Sequence, residues 1–111
     1  RMLAAPLFGE RRLAFCKLRQ GAEADFEAWA AVELAGKAVA VTGEAFLASG
    51  LLGPGVPHPR LRERIGSYAL LMEPGWTIVD HVAGETAHEM IGVHGGLSAD
   101  EMLVPLILAR T

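Results

Sequence analysis

The chain has 111 residues, 51% of them hydrophobic and 21% charged, which suffices for one small core and excludes a disordered segment. Ten basic residues against thirteen acidic ones leave a net charge of −3, and no basic run exceeds Arg11-Arg12 because Glu63 interrupts the stretch 60–64. This balance excludes both the electrostatic footprint of a nucleic-acid-binding protein and the single-sign blocks of a binding tail.

In chain order, residues 1–11 contain Pro6 and Gly9 and read as a connector. Residues 12–18 partly alternate between apolar and polar, which predicts a half-buried strand. After Gly21, residues 22–35 are rich in Ala and Glu. They place Phe26, Trp29, Ala30 and Val32 at roughly helical spacing, with Glu23, Asp25 and Glu27 near the positive end of the helix dipole and Gly36 at the C-cap. Residues 37–42 predict a second strand and residues 43–49 a short helix closed by Gly50. Residues 51–59, with three prolines and two glycines, are expected to be irregular, and Pro59 opens a short helix through Ile65.

Residues 67–73 predict a third strand, Pro74-Gly75 a turn, and residues 76–80 a fourth strand in a hairpin with the third. Residues 81–97 are a loop containing Gly and His. Ser98 with Glu101 three residues on forms a capping box. The apolar run 103–109 fits a buried strand, with Pro105 pointing to an edge or a bulge.

The fold class expected is α+β, a mainly antiparallel sheet with helices on one face. Residues 10–80 hold most of the regular elements, whereas 81–111 pair a long loop with one strand and are expected to dock on something else. The lone cysteine, Cys16, allows no internal disulfide and fits a reducing, cytoplasmic setting. The apolar stretch 102–109 is too short to span a bilayer, no signal peptide is visible, and a start at Arg1 fits a piece of a longer protein.

Histidine is the commonest metal ligand, and residues 80–94 carry His81, His88 and His94 beside Asp80 and Glu85. The spacings His-x6-His and His-x5-His match no compact zinc motif, nor do they put two ligands on one helix face. On spacing alone these residues read as a polar surface loop. Cys16 reads as a buried inert thiol, Glu23 and Glu27 as a solvated helix face, Phe26 and Trp29 as core, and His58 as a turn residue.

The string Ile91-Gly92-Val93-His94-Gly95-Gly96-Leu97-Ser98-Ala99-Asp100-Glu101-Met102-Leu103-Val104-Pro105-Leu106-Ile107 adds a more specific signal. It resembles the C-terminal end of the alkaline phosphatase superfamily, most closely the type I phosphodiesterase and nucleotide pyrophosphatase-like branch of bacteria. Phe8-Gly9-Glu10, Pro57-His58-Pro59-Arg60-Leu61, Glu63-Arg64-Ile65-Gly66 and Tyr68-Ala69-Leu70-Leu71-Met72 are similar to that branch too.

The resemblance implies a C-terminal fragment of a metal-dependent phosphoric ester hydrolase. Two divalent metals, usually zinc, about 4 Å apart would clamp the phosphoryl group in the whole enzyme, with His94 as one ligand. Gly95 and Gly96 would shape the loop for close approach to the metal. Residues 1–9 would be a connector, 10–66 a cap-like subdomain that shapes substrate choice, and 67–111 the returning loop and strand of the larger α/β catalytic domain. His58 and Arg60 would lie near the substrate mouth.

The superfamily's early Asp, its Thr or Ser nucleophile and its Asp-His-Gly string have no counterpart here, since Val82 follows Asp80-His81. The isolated chain is therefore expected to be inactive and to bind no metal tightly. Its expected partners are the missing N-terminal catalytic region and a phosphate ester, with no nucleic acid polymer and no membrane, and the tail leaves room for a homodimer. The alternative is a stand-alone α+β partner-binding module without catalysis. The two differ on residues 81–111: a module would bury Leu103, Leu106 and Leu108 by itself, whereas a hydrolase fragment would leave them without their body.

Overall fold

A computed structural model describes residues 2–110. Its elements are β1 (Phe8–Gly9), β2 (Leu13–Cys16), α1 (Glu23–Glu33), β3 (Ala38–Thr42), α2 (Gly43–Ala48), α3 (Leu61–Ile65), β4 (Tyr68–Met72) and α4 (Ala99–Met102). The four strands form one sheet in the order β1-β2-β4-β3, with every neighbouring pair antiparallel. The fold is α+β.

Because β2 and β3 both run antiparallel to β4, they run parallel to each other. The connection through α1 spans them, and β4 fills the gap between. Small residues face large ones across the central ladders: Ala14 opposes Leu70, Phe15 opposes Ala69, and Ala40 opposes Leu70. Two bonds stitch the entry to β4. Ser67 N–H donates to the Cys16 carbonyl and Gly43 N–H to the Ser67 carbonyl, both at 2.8 Å.

Alternation along the strands divides the core in two. Ala14, Cys16, Tyr68, Leu70 and Met72 point to α1 and pack with Phe26 and Ala30. Leu13, Phe15, Val41, Ala69 and Leu71 point the other way, onto Phe46 of α2 and Ile65 at the end of α3. The helices therefore cover both faces, not the single face expected. Every second residue of β4 is apolar on each side (YALLM), the pattern of a strand buried on both faces. The boundary expected at residue 66 falls inside this unit, because β4 bonds to both β2 and β3.

Four further expectations are corrected. The N-terminal connector contributes β1, and Leu3 bridges to Leu18. Residues 76–80 form no strand: Ile78 N–H makes one bond, to the Arg11 carbonyl at 2.9 Å, and Asp80 caps the N-terminal segment by accepting from Leu7 N–H at 2.8 Å. Residues 103–109 are unpaired, and Leu103, Val104, Leu106, Ile107 and Leu108 are between 78% and 88% exposed. Pro105 removes a donor, and no neighbouring strand among the described residues offers a ladder. The radius of gyration is 16.1 Å, against about 13 Å for a compact chain of this length. Trp29, expected in the core, is half-exposed beside Phe26.

Candidate functional site

The loop 81–97 is held by the turn between β1 and β2. Glu10 N–H donates to the Leu13 carbonyl at 2.9 Å and Leu13 N–H to the Glu10 carbonyl at 3.2 Å, which closes the turn. Its residues grip the later chain at separate points. Glu10 lies beside Gly95, with its carboxylate 3.9 Å from His94 Nε2. Arg11 Nη2 donates to the His88 carbonyl at 2.7 Å. Arg12 donates Nε and Nη2 to the two oxygens of Glu101, each at 2.8 Å, and Nη1 to the carbonyls of Glu73 and Trp76.

Arg12 is only 6% exposed and is the buried charged residue of the described chain. Burial is tolerable because four acceptor oxygens meet the guanidinium nitrogens. The hydrogen bond to Glu101 raises its pKa. Glu101 in turn accepts from Arg12, Ser98 Oγ at 2.6 Å, Ser98 N–H at 3.3 Å and Gly96 N–H at 3.2 Å. The Arg12 and Ser98 bonds hold its carboxyl far below the usual glutamate range. The expected capping box is present. It also serves as the socket for a buried arginine 89 residues away in sequence.

His94 sits just before this socket. Its side chain is 82% exposed, and Glu10 is its one charged neighbour among the described residues. No group of three His, Cys, Asp or Glu side chains able to hold a metal occurs among the described residues. Zinc takes four ligands. The chain thus offers one exposed nitrogen with a carboxylate close by, and a complete coordination shell needs donors from elsewhere.

The glycines after His94 act differently from each other. Gly95 has φ +93°, a region L side chains rarely adopt, and its open face meets the Glu10 stem. Gly96 has ordinary φ and is needed for space, because a Cβ there would collide with the Glu101 carboxylate.

His58 and Arg60 line a depression of about 310 Å³ with Leu61 and Arg64. His58 Nδ1 accepts from Arg60 N–H at 3.1 Å, a local turn bond. No hydrogen bond or ion pair among the described residues joins this pair to His94. His81 N–H donates to its neighbour Asp80, and His88 takes part through its backbone carbonyl.

Cys16 is fully buried, and desolvation pushes its thiol up to about 11. Glu23 and Glu27 are exposed, as expected of a solvated face, and Glu27 also accepts from the Tyr68 hydroxyl at 2.5 Å and ties α1 to β4. Sequence reasoning missed Arg12 and Glu10. The signal available was a charged Glu-Arg-Arg triplet between two apolar segments, the composition of a tight turn. Compared with protein-family models, curated proteins and solved structures, the chain matches none. No helix among the described residues is long and apolar enough to cross a membrane.

Proposed function

We propose that this chain is the C-terminal region of a metal-dependent phosphoric ester hydrolase of the alkaline phosphatase superfamily, in which His94 gives one nitrogen to a divalent metal, zinc by preference. The observation that carries this is an exposed imidazole on an anchored loop: His94 is 82% exposed, yet the backbone two residues on is tied to a buried arginine. A ligand held in that way costs little reorganisation when the metal arrives. The remaining donors and the nucleophile belong to the upstream catalytic region, and His58 and Arg60 lie toward the phosphate ester.

The exposed tail favours this reading over a stand-alone partner-binding module. A complete module would bury Leu103, Leu106 and Leu108, and all three are exposed. In the hydrolase reading the catalytic body covers them. Single, buried Cys16 fits a reducing cytoplasm.

The test uses the whole open reading frame that encodes this chain, expressed with and without His94→Ala. Loss of bound zinc together with loss of phosphodiester turnover is expected. Unchanged zinc and turnover would remove the ligand role. A frame without an upstream Asp, a Thr or Ser nucleophile and an Asp-His-Gly string would return the partner-binding module.

A further inference from the structure

We infer that Arg12 is the positioning residue of the His94 loop, acting through Glu101; the consequence for metal binding rests on the ligand role proposed for His94. Among the described residues, the one hydrogen bond made by residues 89–97 is from Gly96 N–H to Glu101. Whatever fixes that carboxylate fixes the backbone at residue 96, beside the Glu10 contact at Gly95 and the Arg11 bond to the His88 carbonyl. Two of its bonds come from Arg12. The other Arg12 nitrogen is clamped by the carbonyls of Glu73, next after β4, and Trp76, just past the Pro74-Gly75 turn. The chain of restraint therefore runs from the sheet to a planar guanidinium, to a carboxylate, to the backbone two residues beyond His94.

Each link uses a property its neighbours lack. A guanidinium can present two parallel N–H groups to a carboxylate while a third nitrogen bonds elsewhere, and an ammonium cannot. Glutamate at residue 101 has the reach to span from Arg12 back to Ser98 and Gly96. Glycine at residue 96 leaves the carboxylate its place. Outer-shell hydrogen bonds of this type commonly tune a metal site by fixing the orientation of its ligands. A pair kept for stability alone is often replaced by packed apolar side chains without loss. A pair kept for position is not, because no apolar pair would hold the Gly96 and Ser98 amides.

The test uses the chain itself, isotope-labelled, with Arg12→Ala, Arg12→Lys and Glu101→Gln, and zinc as the probe. Two signals are read by NMR: the order and amide protection of residues 94–98, and the shift of the His94 imidazole on adding zinc. In Arg12→Ala, residues 94–98 are expected to lose order and the zinc response of His94 to weaken several-fold, while Ala14 and Leu70 amides stay protected. Millimolar guanidinium is expected to restore both signals in Arg12→Ala, where it refills the socket, and to do nothing for Glu101→Gln. Lysine at residue 12 is expected not to rescue.

Unchanged order of residues 94–98 in Arg12→Ala, or in Glu101→Gln should the first variant not fold, overturns the inference. Failure of guanidinium to restore an otherwise folded Arg12→Ala overturns it as well. The loop-order signal does not involve zinc and decides the inference, whereas the metal reading is decided by His94→Ala in the whole open reading frame.

Discussion

The carboxylate of Glu101 lies where a side chain at Gly96 would begin, and it accepts the Gly96 N–H at 3.2 Å. The two residues exclude each other's growth. Gly96→Ala is therefore expected to expel Glu101 from its socket and cut its bonds to Arg12, with raised exchange at the Ser98 amide and an intact sheet. Amide exchange by NMR reads this directly.

Acid should release the same loop. The folded-state pKa of Glu101 is depressed, so the linkage it contributes is fully present above the unfolded glutamate value of about 4.3 and is lost as pH falls through the folded value. Titration from neutrality downward is expected to leave the Gly96 and Ser98 amides protected through pH 5 and free them only well below that unfolded value. Arg12→Ala should remove the plateau.

Tyr68 is the single tyrosine, so its ionisation can be followed by ultraviolet absorbance alone. Its hydrogen bond to Glu27, with burial, pushes the phenol up to about 12. A raised folded value means the stabilisation is whole below the unfolded pKa of about 10 and disappears as pH rises towards about 12. Glu27→Gln is expected to move the absorbance transition down. No movement would mean that Glu27 does not receive the hydroxyl.

Cys16 should resist thiol reagents in the folded chain. It is fully buried and its thiol is pushed up to about 11, so thiolate is scarce and unreachable at neutral pH. Labelling with a chromogenic disulfide is expected to be slow in buffer and immediate in denaturant. Fast labelling in buffer would show that β2 opens locally.

Core and tail should respond oppositely to truncation. Phe46 is 2% exposed and packs edge-on against Phe15, so Phe46→Ala is expected to cost about 3–5 kcal/mol in denaturant unfolding. Leu106 is also a large apolar residue but exposed, and Leu106→Ala should change stability by no more than about 0.5 kcal/mol. A comparable loss at both residues would mean that the tail packs on the body in solution.

Much of the fold was legible because local signals agreed with it. Alternation marked β2, Gly21 and Gly36 bracketed α1 although its C-cap is Leu34 and not Gly36, and Ser98 with Glu101 marked the capping box. The failures share one cause. An apolar run states that a segment wants burial and not where burial is found, so residues 76–80 and 103–109 read as strands although no partner edge reaches them. The faces of the sheet were hidden for a related reason, since only the ladder order reveals that α2 and α3 lie opposite α1. At the site, the exposed histidine stood out in the sequence. Its support did not, because Arg12 and Glu101 are 89 residues apart and neither stands in a recognisable motif with the other.

The position of β4 has a consequence for how the protein is made. This interior strand, which joins β2 to β3, is the last of the four to leave the ribosome, after a proline-rich connection from α2. Until residue 72 has emerged, β2 and β3 have no common neighbour, and the apolar faces of Ala14, Phe15 and Val41 stay wet. No amino-terminal half can fold early and wait. Formation of the sheet is one late event that joins distant segments, which predicts slower folding than the modest size suggests and leaves the nascent chain dependent on protection from aggregation until then.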